Sequence, residues 1–272
     1  MKKIVYSTVA GLTMLALSSV APSASPWYEP PQSSFVPPTV FQAAGPDIAS
    51  IQGIVDRFRA ALGGVNNLNA PGPIVGGRRE INWDGGGSTA TAIAPTPFTG
   101  FLVTRGALFT TPGTGFVQAP VDGLATTFGH PDYAAIFQPF SPVRLFSPLN
   151  SNVTLVDFFL PGGGDIPAVT TGFGAVFSDV DQPTGQPGTS AGTQASTSMK
   201  FYDQYGTLLY TSVVPPSPGD ASLSFFGAVF VDARVARVKI VTGNLQPGPY
   251  GEDPKDVVVM DDFIYGEPKA VK

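Results

Sequence analysis

The sequence predicts an all-β protein, an antiparallel β-sandwich of jelly-roll-like kind with one N-terminal α-helix. Three observations lead there. Short apolar runs with period-two alternation recur along the chain after residue 78, and Gly, Pro, Asn or Asp separates most of them. Gly and Pro are abundant, at 32 and 28 residues, yet 43% of the chain is hydrophobic and 20 residues are phenylalanine. A chain that apolar collapses, so its Gly and Pro punctuate turns and do not dilute a disordered coil. Finally, only one segment carries helical periodicity, which argues against strands alternating with helices in a parallel sheet.

Met1-Lys2-Lys3, the uncharged and mostly apolar residues 4–20, and the small residues that follow have the parts of a secretory signal peptide. Residues 1–24 are therefore expected to be removed and the protein secreted, to the extracellular space or a periplasm. No later segment has the length and apolarity of a membrane span. Residues 25–44, with Pro26, Pro30, Pro31, Pro37 and Pro38, read as an extended Pro-rich arm. Residues 45–272 read as one sandwich domain.

The helix is expected at about 47–62. Ile48, Ile51, Val55, Phe58 and Leu62 fall on one helical face. Pro46-Asp47 suits its start and Gly63-Gly64 its stop. Residues 79–84 then alternate and end at Gly85-Gly86-Gly87. Similar runs follow at 101–104, 153–160, 169–180, 199–202, 207–214, 223–231, 235–241 and 257–265. Asp203-Gln204-Tyr205-Gly206 between two of them reads as a hairpin turn. Phe173-Gly174-Ala175-Val176-Phe177 recurs as Phe226-Gly227-Ala228-Val229-Phe230. The repeat suggests two buried strands, with small residues where the two sheets approach closely.

Composition excludes much chemistry. With one histidine, His130, and no cysteine, the usual zinc sites, cysteine-ligated clusters and cysteine nucleophiles are absent. His130 sits before Pro131 in a turn-like context, and no Gly-x-Ser-x-Gly elbow accompanies it. The net charge is −5, and loss of Lys2 and Lys3 with the signal peptide makes it −7. That argues against a nucleic-acid partner, which rewards a basic face.

Carboxylates remain. Glu80, Asn82 and Asp84 are expected on one strand face, and Asp179 and Asp181 likewise share a face. Asp261 and Asp262 interrupt an apolar run, where a buried unpartnered acid costs several kcal/mol. Calcium, a hard cation served by oxygen ligands, would partner these seven residues as a structural cofactor. Ion pairs from Arg78, Arg79 or Arg144 would do the same work. A pair of these acids could also serve a glycosidase.

The segment 77–85 (GRREINWDG), the strand 173–181 (FGAVFSDVD) and the tail 261–268 (DDFIYGEP) together resemble a family of exported, largely uncharacterised microbial β-sandwich proteins. The tail is also similar to the closing strand of PEP-CTERM-type surface proteins, although this chain ends Lys269-Ala270-Val271-Lys272 without a sorting helix. The resemblance implies the fold and export, and no activity. The functional expectation is a secreted, non-catalytic binding or surface-associated protein that engages glycans or cell-surface and matrix components. A carboxylate-dependent enzyme acting on polysaccharide and a purely structural matrix component are the alternatives. Trp27, Trp83, Tyr133 and Tyr250 are the candidate sugar-stacking aromatics, with core packing the alternative for Trp83.

Overall fold

The computed structural model describes residues 36–181, 197–250 and 255–271. The expected signal peptide and Trp27 lie outside them. The strands are β1 Thr39–Gly45, β2 Arg78–Ile81, β3 Ala92–Pro95, β4 Ala107–Thr110, β5 Gly115–Ala119, β6 Leu145–Leu149, β7 Val153–Phe158 and β8 Ala168–Val169. They continue as β9 Gly172–Ser178, β10 Ser198–Tyr202, β11 Leu208–Val213, β12 Leu223–Val229, β13 Arg237–Val241, β14 Val259–Gly266 and β15 Lys269–Ala270. The helices are α1 Ile48–Ala61, α2 Leu102–Arg105, α3 Val121–Phe128 and α4 Tyr133–Ile136.

Two antiparallel sheets form the core, as the alternation predicts. The larger runs in the order β1-β12-β9-β14-β6-β5-β3, with β2 also paired to β14. The smaller runs β11-β10-β13-β7-β4. Their inner faces meet in an aromatic-rich cluster that includes Trp83, Phe109, Phe146, Phe173, Phe201 and Phe263. Trp83 stacks on Phe146 with ring centroids 3.7 Å apart and planes 4° from parallel. The Asp203–Gly206 turn joins β10 to β11, and the Asp203 carboxylate accepts the N–H groups of Tyr205 and Thr207, both at 2.8 Å.

The helix α1 forms where its periodicity places it. Asp47 caps it by accepting the Ser50 N–H at 2.9 Å. Its Ile51, Val55 and Phe58 are buried on the outer face of the larger sheet, against Val176, Leu223, Phe225 and Ile264. The single-helix expectation is incomplete, because α3 and α4 cover another part of the same outer face. Leu124, Phe128, Tyr133 and Ile136 pack there against Val117, Leu145 and Val259. The larger sheet is therefore covered on both sides, which explains why β9 and β14 are buried at every residue.

Three local expectations are corrected. Residues 39–44, expected in the Pro-rich arm, form most of edge strand β1 beside β12. Residues 101–104, expected as a strand, belong mostly to α2, closed by Gly106 in the left-handed conformation at φ 69°. The repeated Phe-Gly-Ala-Val-Phe segments pair with each other, Gly174 opposite Gly227. Their alanines, Ala175 and Ala228, are buried between the sheets as expected, whereas their glycines serve the helix. A Cβ at Gly227 would stand 2.6 Å from Phe58 Cε2, and one at Gly174 would stand 2.8 Å from Phe58 Cε1. The glycine pair is a notch for the Phe58 ring. Gly227→Ala should accordingly lower stability by about 1–3 kcal/mol. Phe58→Leu in the same chain should recover part of that loss, giving a coupling in urea denaturation that two independent sites would lack.

Candidate functional site

The expected acidic residues fall into two groups. Glu80, Asn82, Asp84, Asp261 and Asp262 come together on the outer side of β2 and β14, beside the Phe140–Ser141 segment. They do so by breaking the alternation expected of them. Strand β2 ends at Ile81, and Trp83 takes a left-handed φ of 63°. That backbone costs a bulky residue about 1–2 kcal/mol, which burial of the indole in the core offsets. In consequence Asn82 is exposed while Asp84 is buried, so the three residues do not share one face. Pairing between β14 and β9 shifts between Met260 and Phe263, a bulge that turns both aspartates off the ladder.

Hydrogen-bond donors surround the carboxylates. Asp261 Oδ2 accepts the N–H groups of Phe140 at 2.6 Å and Ser141 at 3.1 Å. The Ser141 hydroxyl donates to Asp262 Oδ1 at 2.7 Å and lies 3.2 Å from Asp261 Oδ1. Arg59 of α1 reaches Asp262 Oδ2 at 3.2 Å and Glu80 Oε2 at 3.1 Å, and Arg78 also pairs with Glu80. Asp84 accepts the Arg144 N–H at 2.9 Å and the Asn82 amide at 2.8 Å, as well as the Val143 N–H. Arg59, which the acids' sequence context did not suggest, is the central cation. Burial lifts the carboxyl of Asp262 to about 6, against hydrogen bonding from Ser141 and the charge of Arg59. Burial first, and then the charge of Asp262, hold Asp261 well above the ordinary carboxylate range.

Asp179 and Asp181 lie apart from that group, past the end of β9. Asp179 is fully buried, with φ 70°, and donates its N–H to the Ser222 carbonyl. Asp181 accepts the Gly219 N–H at 2.8 Å and donates its own N–H to Asp256. The seven residues are thus not one constellation. Among the described residues, no group of three or more His, Cys, Asp or Glu side chains is arranged to hold a metal ion.

The smaller sheet presents a different surface. Its inner residues Met199, Phe201, Val238, Ile240 and Val156 fill the core, so the residues between them point outward. Two rows cross the face. Cross-strand pairing aligns Lys200 with Lys239 and Lys239 with Leu155, and aligns Tyr202 with Arg237 and Arg237 with Asp157. Among the described residues no helix packs extensively on these strands apart from the one-turn α2, which lies against edge strand β4. At one end of the face is a groove of about 540 Å³, lined in part by Leu155, Asp157, Tyr202, Gln204, Arg237 and Lys239. Arg237 is fixed by Asp157, with Nε to Oδ1 at 2.6 Å.

None of the face residues was singled out in the sequence. The signal was present as alternation in 153–158, 199–202 and 237–241, but which outward residues are neighbours depends on strand order. The expected stacking aromatics fare differently: Trp83 and Tyr133 are core residues at 1% and 0% exposure, while Tyr250 is half exposed. His130 stacks on Tyr133 between α3 and α4, with centroids 4.6 Å apart, as a turn residue. No helix among the described residues is long and apolar enough to cross a membrane. Compared with known proteins, the chain matches no family model, no curated protein and no solved structure.

Proposed function

We propose that the protein is an exported, non-catalytic binding or surface-associated sandwich, of jelly-roll-like kind, that engages glycans through the outer face of its smaller sheet. The observation that carries this reading is the contrast between the two sheets. The larger is covered by helices on one side and by its partner on the other, whereas the smaller leaves a polar face open among the described residues. Its groove combines the Tyr202 ring, an ion-paired Arg237–Asp157, Gln204 and the apolar wall of Leu155. An aromatic face beside a few fixed polar groups suits the alternating C–H and hydroxyl surfaces of a sugar.

The enzyme alternative receives less support. The two carboxyls raised furthest, Asp261 and Asp262, are buried and hydrogen-bonded to Ser141, so they serve the fold before any substrate. A glycan array, run with and without calcium, tests the binding reading. Tyr202→Ala should weaken the best hit about tenfold or more, the scale of a truncated anchor residue. Equal binding by that variant, or no hit on any glycan, would contradict it. The structural calcium expected from the sequence has its own test in the same preparation. A Tm that rises in millimolar calcium and falls in chelator supports it, since a ligand of the folded state alone stabilises by mass action. A Tm indifferent to both leaves the hydrogen-bonded network as the sole partner of the acids.

A further inference from the structure

Lys200 and Lys239 stand directly opposite one another on β10 and β13, on the same outward face. Like charges in that relation destabilise a sheet. Elsewhere on the face the charge is balanced, because Arg237 pairs with Asp157. Neither lysine forms an ion pair with a described carboxylate. The described residues include only four lysines, so placing two of them opposite each other concentrates positive charge in a protein whose net charge is −5. Neighbouring strands are about 4.8 Å apart, so the two ammonium groups make one doubly cationic patch. Lys239 lines the groove that also holds Tyr202 and Arg237, with Lys200 beside it.

We infer that the ligand of this face is an anionic polysaccharide bearing carboxylates, a polyuronate, whose charges relieve the repulsion between Lys200 and Lys239. The inference rests on the glycan-binding reading and adds its chemical class. A negative ligand supplies what the pair lacks, and compact ammonium groups on flexible stems can follow carboxylates at varied spacing along a chain. The Tyr202 ring packs against the sugar ring while the cations hold its charge.

Polygalacturonate and its fully methyl-esterified form share a backbone and differ in charge. Isothermal titration of the full chain against both, at low and at physiological salt, reads the inference directly. Polygalacturonate is expected to bind at least tenfold tighter than the ester, with affinity falling as salt rises. The double variant Lys200→Gln/Lys239→Gln should lose that preference and most of the salt dependence. Its Tm should equal or exceed that of the parent, since repulsion is removed, which separates lost binding from lost folding. Equal affinity for acid and ester, or an unaffected double variant, would overturn the anionic class while leaving glycan binding in place. Binding of single-stranded DNA as tight as that of polygalacturonate would overturn it too, as generic polyanion attraction. Failure of both pectic polymers together with every neutral glycan would remove the binding reading and the inference with it.

Discussion

Glu267→Ala is expected to cost the fold about 3–5 kcal/mol, the scale of stranding one member of a buried ion pair. That is a large fraction of the about 5–15 kcal/mol by which an ordinary domain is stable. Arg79 and Glu267 are both fully buried at their side chains. Arg79 Nε donates to Glu267 Oε2 at 2.6 Å and Nη2 donates to Oε1 at 2.7 Å, a bidentate pair. Arg79 Nη1 donates as well, to the carbonyls of Leu68, Ala70 and Thr104. Glu267 accepts further from the Asn67 amide at 2.8 Å and the Ile74 N–H at 3.1 Å. The pair thus ties the long connection after α1 to β2 and to the end of β14. Removing the carboxylate leaves a guanidinium in the core with three carbonyls and no counter-charge. Arg79→Met combined with Glu267→Leu should be far milder than either single loss, because it removes both charges together. Guanidinium denaturation of Glu267→Ala, of each single loss and of the double variant checks this. A loss below about 1 kcal/mol in Glu267→Ala would show that the pair does not hold the connection.

The second large effect is a dependence of stability on pH set by Asp261 and Asp262. Unfolded aspartate titrates near 3.9, whereas Asp262 in the fold sits at about 6 and burial holds Asp261 well above its ordinary value. Between those values the folded chain keeps protons that the unfolded chain has released. The stability these groups contribute is fully present below about pH 4 and is lost as pH rises through the folded values. For Asp262 the loss is roughly 3 kcal/mol, from about two pKa steps. Asp261→Asn mimics the protonated form and can still accept the Phe140 and Ser141 N–H groups. It should therefore raise stability at pH 7 by roughly 1–3 kcal/mol. It should have little effect at pH 4, so the difference between variant and parent grows as pH rises. Urea denaturation between pH 4 and pH 8 measures it. A difference independent of pH, or one shrinking toward pH 8, would contradict the burial of these carboxyls.

The parts of the fold legible in the sequence were those fixed by local pattern. The stripe from Ile48 to Leu62 and its Asp47 cap specify α1 without reference to anything else. The Asp203–Gly206 turn likewise depends only on its own residues. Strand β1 was hidden because Pro37 and Pro38 dominate the composition just before it, while its pairing comes from β12, far along the chain. Helix α3 follows Pro120 and is only 8 residues long, too short for periodicity to distinguish it from a loop. The Phe-Gly-Ala-Val-Phe repeat announced burial but not its cause, since the Phe58 ring that fills the notch lies more than a hundred residues upstream. The acids' place in apolar runs announces a need for partners. Which partners depended on Trp83 leaving the extended conformation and on Arg59 projecting from a helix, neither of which alternation encodes. The open face was the least legible part. Lys200 and Lys239 become neighbours only through the pairing of β10 with β13, and that pairing is set by the sheet as a whole.

The claim that the outer face of the smaller sheet binds glycans is tested most directly by amide chemical-shift mapping. Short oligomers of polygalacturonate and of its methyl ester are titrated into the labelled protein. Shifts are expected on β7, β10 and β13, centred on Asp157, Tyr202, Arg237 and Lys239, with the acidic oligomer extending them to Lys200. Shifts centred instead on α1, α3 or the Asp84–Asp262 network, or none on the open face with either oligomer, would contradict it.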